Sequence, residues 1–187
     1  MIAKPTTEPP VRHQRAAARK VEAEEAAEIA SLADARAAFV NLRRWLVPGG
    51  RFAFAVWGPV DDNPWMTATR AAVAEVIELA PIPPSGPGPF RYEDAEAFTA
   101  LLTEAGFGHI TVTDFRRALP IGHKLDAVDA AHFALAAFSS FAERLASAGG
   151  DAFTTARRAL TERFQDFERE GAVLAPARIH IVAGQAL

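Results

Sequence analysis

Histidine is the side chain best suited by type to move a proton near neutral pH, and the chain has five: His13, His109, His123, His132 and His180. No two stand four residues apart, the spacing that turns both imidazoles to one helix face for a metal, and no HExxH run occurs. His123 follows Gly122 and is expected in a loop, where it is free to act as a base beside an acceptor. His180 alternates with Ile179 and Ile181, which places it on the other face of a strand. For each histidine the simpler reading is a hydrogen-bonded or surface role without catalysis. Ser139 and Ser140 fall within a helical pattern and have no nucleophile elbow around them. The chain has no cysteine, which removes thiolate nucleophiles, thiolate zinc sites and disulfides. Asp61, Asp62, Glu93 and Asp94 read as solvated loop charges or charges at helix N-termini.

Arg116-Arg117 and Arg157-Arg158 are too isolated to form a phosphate track, and a net charge of −3 with a pI near 6.0 gives no field toward nucleic acid or an anionic membrane. No apolar run reaches the roughly 18 to 20 residues of a membrane span, and the N-terminus has no secretory apolar centre, so a soluble cytoplasmic protein is expected. With 187 residues, half of them apolar, the chain is long enough for one well-buried domain.

Residues 1–33 are expected to add little to that domain. Met1 to Pro10 holds three prolines, and Arg12 to Glu28 forms an alanine-rich helical pattern, basic first and acidic after, without a large apolar stripe. From residue 34 the pattern sharpens. Asp34 is expected to cap a helix with Ala35, Ala38, Phe39, Leu42, Trp45 and Leu46 on one face, and Pro48-Gly49-Gly50 to stop it. Phe52 to Trp57 is a nearly continuous apolar run, expected as a strand covered on both faces of a parallel sheet. Trp65 to Leu79 is expected as a helix, and Pro81 to Pro89, with five prolines, as an extended connector. Phe98, Leu101, Leu102 and Ala105 form the next helical stripe, stopped at Gly106, and Ile110 to Phe115 alternates as a strand. Leu125 to Ala148 is expected as one long helix with Leu125, Val128, His132, Leu135, Phe138 and Leu145 in its stripe. Asp151 is expected to cap a further helix ending at Gly171, and Arg178 to Gly184 to close the fold as a strand.

The order Ala38-Phe39-Val40-Asn41-Leu42-Arg43-Arg44, Pro48-Gly49-Gly50-Arg51, Trp57-Gly58-Pro59, Asn63-Pro64-Trp65, Pro89-Phe90 and Ala105-Gly106-Phe107 resembles the C-terminal half of a class I S-adenosylmethionine-dependent methyltransferase, in the small-molecule branch similar to ubiquinone and menaquinone biosynthesis enzymes. The resemblance covers residues 34–187. It implies an α/β fold: a partial Rossmann-like sheet of about three strands, mixed in direction, with a helical cap inserted at about 124–171. Phe52 to Trp57 would be the fifth strand of that family, Ile110 to Phe115 the sixth, and Ile179 to Ala183 the seventh, antiparallel between them.

The resemblance also implies S-adenosylmethionine as cofactor and a small-molecule acceptor, with Trp57, Asn63, Trp65 and Phe90 lining the acceptor pocket; His123 joins them as a candidate by its loop position alone. The alternative for these residues is that the aromatics pack the cap and Asn63 caps the following helix. The family's glycine-rich cofactor turn is not visible: no glycine occurs before Gly49, and four strands with crossovers require on the order of 100 residues, against 33 before Asp34. The expectation is a methyltransferase-like protein inactive alone, whether a truncated gene product, a half-enzyme with a complementing chain, or a domain reused for binding or oligomerisation. Such a remnant exposes the edge of its first strand, which favours a homo-oligomer or a complementing chain.

Overall fold

The computed structural model describes residues 34–81 and 86–187. The charge-split helix expected before Asp34 and part of the proline connector lie outside them. Six α-helices and four strands are present among the described residues: α1 (Ala35–Arg44), β1 (Arg51–Trp57), α2 (Pro64–Ala74), α3 (Ala95–Glu104), β2 (Phe107–Pro120), α4 (Ala127–Ala137), α5 (Ser139–Ala148), α6 (Ala152–Gln165), β3 (Glu168–Arg169) and β4 (Ala172–Ala186). The protein is thus α/β, as expected, but its sheet is antiparallel in every pairing, not mixed.

β4 lies between β1 and β2 and runs antiparallel to both, the place expected for the C-terminal strand. Both long strands exceed their sequence limits, because β2 and β4 pair without a break from Thr111↔Ala183 to Pro120↔Leu174. The register slips only between Gly108 and Thr111, where His109 takes a positive φ of 51°. The two-residue β3 folds onto the start of β4 through Glu170 and Gly171, both at positive φ. Gly171 therefore turns a hairpin; it does not end the preceding helix, which stops at Gln165.

Uninterrupted pairing keeps the side-chain alternation of β4 intact, so Val173 and Ala175 lie on the opposite face from Val182. Each face has its own core. Val173 and Ala175 pack with α2, α4 and α6 through Val73, Leu135, Leu160 and Phe164. Val182 packs with α1 and α3 through Phe39, Phe98 and Leu102, joined by Phe107. The sheet therefore carries helices on opposite faces at opposite ends. β1 is not covered on both faces as its composition led us to expect. Phe52, Phe54 and Val56 turn toward the second core, while Ala53 and Ala55 are exposed.

α1 begins where Asp34 accepts a hydrogen bond from the Ala37 N–H at 2.9 Å. It ends at Arg44, before the last two residues of the expected stripe, leaving Trp45 67% exposed and off the expected apolar face. The helix expected over Leu125 to Ala148 is two, broken at Phe138, whose ψ of 91° leaves the helical region. Its expected stripe is also displaced: Val128 and His132 are exposed, and the buried face is Ala127, Ala130, Ala131, Ala134 and Leu135. Small side chains let α4 approach α6, which presents Ala152, Ala156 and Ala159 in return.

Candidate functional site

The loop from β1 to α2 is held by one buried amide. Gly58 N–H donates to the Arg178 carbonyl at 2.9 Å, and a 3-10 turn at Val60–Asp62 brings Asn63 under the loop. Asn63 is fully buried, and its Nδ2 donates to the carbonyls of Gly58, Pro59 and Arg178 at 3.3, 2.9 and 3.3 Å. Its Oδ1 accepts from the Arg178 N–H at 3.1 Å. Asn63 occupies the N-cap position of α2 but makes no side-chain cap bond there, because its amide is committed to β4. Pro64 then starts the helix at a position where no N–H is required. Asn63 thus fastens the loop to the sheet, and with no exposed area it does not face a ligand.

The clamp sets Trp57 against Trp65, with ring centroids 5.4 Å apart and planes at 60°. Phe90 approaches Trp57 at 6.5 Å, and Phe138 stacks on Trp65 at 5.9 Å and 24°. All four rings are partly buried. Three of the residues expected at the acceptor site are therefore brought together, at the end of β1 and the break between α4 and α5. Phe138 is the member that sequence reasoning put in a helical stripe; Ser139-Ser140 following a large apolar residue was the available sign of a helix start. His123 is exposed in the turn between β2 and α4 and makes none of these ring contacts. Flat apolar side chains at ring spacing can bind a planar ligand by stacking, but they supply no acid or base.

A polar network adjoins this loop. Arg178 Nη1 contacts Asp62 Oδ2 at 2.8 Å, and its Nε donates to Asp114 Oδ1 at 2.8 Å. Arg116 Nε donates to the other Asp114 oxygen at 2.9 Å. Glu93 Oε2 accepts from Val60 N–H at 2.9 Å, so Asp62 and Glu93 are not simply solvated charges. Asp94, by contrast, caps α3 as expected, accepting from Glu96 and Ala97 N–H. His180 lies on the covered face, 4% exposed, with Nε2 3.1 Å from the Glu93 carbonyl. A carbonyl only accepts, so Nε2 carries the proton. Nδ1 has no hydrogen-bond partner and sits 3.6 Å from Asp114 Oδ1.

The hydrogen bond from Arg178, and next that from Arg116, holds the Asp114 carboxyl below its ordinary 3.8, and Asp114 then Asp62 raises Arg178. A carboxylate with a lowered folded pKa stabilises the fold above its unfolded pKa, and that contribution fades as the pH falls through the folded value. Asp114→Asn should therefore melt below the native protein at pH 7, with the gap closing as the pH falls below 3.8. Circular-dichroism melts across this range check the sign; an equal gap at every pH contradicts it.

Among the described residues no cluster of His, Cys, Asp or Glu could hold a metal ion, and no helix is long and apolar enough to cross a membrane. A glycine turn that cradles a nucleoside cofactor follows a strand and opens a helix. Gly122 is the positive-φ glycine that follows a strand and precedes a helix, and a Cβ built on it lies 2.4 Å from Leu125 Cδ1, so its open side is filled by protein. Gly106 and Gly149 instead follow the ends of α3 and α5, and Gly49 lies in the turn between α1 and β1. Compared with known proteins, the chain matches no family model and no curated sequence.

Proposed function

We propose that residues 34–187 form the acceptor-side unit of a cytoplasmic methyltransferase-type protein, binding a planar small molecule and performing no methyl transfer unaided. The observation that carries this reading is the array of partly buried rings of Trp57, Trp65, Phe90 and Phe138, set at the end of a strand beside the loop that Asn63 fastens. Support also comes from the antiparallel β4 between β1 and β2, the strand placement that the sequence resemblance implies. S-adenosylmethionine would bring the transferable methyl group, but the described residues do not fit it. Their contribution is to stack an acceptor and shield part of it from water.

The competing reading is a binding module without any enzymatic role, favoured by the lack of an acid or base among the four rings. Calorimetric titration separates the expectations. 1-Naphthol, a planar aromatic probe, should bind the full chain with a Kd on the order of 100 μM, as its few heavy atoms allow. Trp65→Ala should weaken that binding about tenfold by removing a stacking face. S-adenosylhomocysteine should give no heat at high micromolar concentration. Heat from S-adenosylhomocysteine without heat from 1-naphthol would overturn the assignment.

A further inference from the structure

The sheet has two outer edges among its described strands, and they differ in how they are protected. The β2 edge carries the bulge between Gly108 and Thr111, the charges Asp114, Arg116 and Arg117, and a terminal Pro120. Bulges, charges and proline are the usual defences against unwanted strand addition. β1 has no bulge and no proline: its seven residues are Arg51-Phe52-Ala53-Phe54-Ala55-Val56-Trp57, with a single charge, at the end, and no irregularity in its pairing.

The ladder geometry fixes which groups face outward. Gly50 and Gly58 both bond to β4, Ala186 N–H donating to Gly50 O at 2.8 Å and Gly58 N–H to Arg178 O at 2.9 Å. In an antiparallel pair the bonding residues alternate, so Phe52, Phe54 and Val56 bond inward. The N–H and C=O groups of Arg51, Ala53, Ala55 and Trp57 therefore point to the open edge. Trp45 and Val47, in the segment leading into β1, are 67% and 72% exposed, an unusual display of large apolar side chains.

We infer that this edge pairs with the β1 edge of a second copy, antiparallel about a two-fold axis at Phe54. Only outward-facing residues can exchange bonds, and this register uses all four: Arg51 opposite the second Trp57, and Ala53 opposite the second Ala55. It forms about eight main-chain hydrogen bonds, and a shift of two residues in the paired sum loses a quarter of them. The single charge never meets its own copy. Arg51 falls beside a tryptophan, where a guanidinium is attracted to the ring face. On the helix-covered face Phe54 meets Phe54 and Phe52 meets Val56, extending the second core across the axis. The same pairing brings the exposed Trp45–Val47 segment of one copy toward the Trp57 end of the other strand. This inference does not rest on the methyltransferase reading.

A seven-residue edge with one exposed tryptophan is smaller than a standard interface of roughly 800 Å² per partner, so association is expected on the order of 10 μM. Sedimentation velocity of the full chain should show the 20.1 kDa species giving way to one of twice that mass between about 1 and 300 μM. Ala53→Pro removes only an outward N–H, a site where an edge strand tolerates proline, and should raise the dissociation constant at least tenfold with the melting curve of the monomer retained. Ala55→Lys should do the same, while Thr113→Lys, on β2, should not.

The register has its own test, because the chain has no natural cysteine. A mixture of Ala53→Cys and Ala55→Cys chains should form a disulfide, their Cα atoms lying about 5.5 Å apart, whereas neither chain should cross-link to itself. A monomer at about 300 μM, a dimer that survives both β1 substitutions, or cross-linking of Ala53→Cys alone would overturn the proposal.

Discussion

Replacing Asn63 with alanine should cost about 3 kcal/mol, since it strips partners from a buried N–H and from three carbonyls at once. For a chain of this size that loss corresponds to a fall in melting temperature of about 6 to 12 °C. Asn63→Asp should be no milder. It keeps the acceptor for Arg178 N–H but turns a carboxylate toward carbonyl oxygens in a site with no exposed area. The same change should loosen the loop that sets Trp57 against Trp65, so 1-naphthol affinity should fall together with stability. Denaturant titrations of both variants, paired with calorimetry on whatever remains folded, check the two effects separately. Native-like stability in Asn63→Ala would mean that the loop is held by its backbone alone.

Phe39→Ala should be the most damaging change in the second core, at about 3 to 5 kcal/mol. Phe39 is 2% exposed and touches three rings: Phe54 at 5.5 Å, Tyr92 at 5.7 Å and Phe98 at 5.5 Å. Its removal opens a cavity at the place where α1, β1 and α3 meet, and rings held by their neighbours cannot collapse into it cheaply. Trp45→Ala, six residues later on the same chain segment, removes a larger side chain yet should change stability by less than about 0.5 kcal/mol at concentrations where the protein is monomeric. Urea denaturation of the two variants at low micromolar concentration makes the comparison. Similar losses at both positions would show that the helix continues through Trp45 and buries it.

That contrast also explains what the sequence could and could not reveal. Helix limits set by local chemistry were legible: Asp34 and Asp94 cap α1 and α3 through their own carboxylates, and Gly106, at φ 94°, ends α3. Trp45 was misplaced because helical spacing continues through it, while the chain leaves the helix for the turn at Pro48 and Gly49. The long helix after Leu125 was misjudged for another reason. Its buried face is made of alanines, which a reading weighted to large apolar residues passes over, and Phe138 kept the spacing across a break in the backbone. The direction of β1 was hidden too. An apolar run of six residues fits a strand buried in a parallel sheet or an edge strand with alanines facing out, and only the pairing with β4 separates the two.

The aromatic site was legible in part because two of its rings, Trp57 and Trp65, flank the loop after β1 in sequence, with Phe90 not far beyond. Phe138 comes from another region and joins through tertiary packing alone. Arg178 was missed entirely. Its type and position in a strand give no sign that Asp62, from the loop, and Asp114, from the neighbouring strand, will converge on it, since the cross-strand register decides that meeting.

A crystal structure of the full chain grown with 1-naphthol would locate the ligand. A planar ligand is expected stacked within the Trp57, Trp65, Phe90 and Phe138 array, with Asn63 still bonded to Gly58, Pro59 and Arg178 beneath it. Ligand bound only in the open groove of about 620 Å³ between α3 and Val112, with the four rings left bare, would contradict that placement.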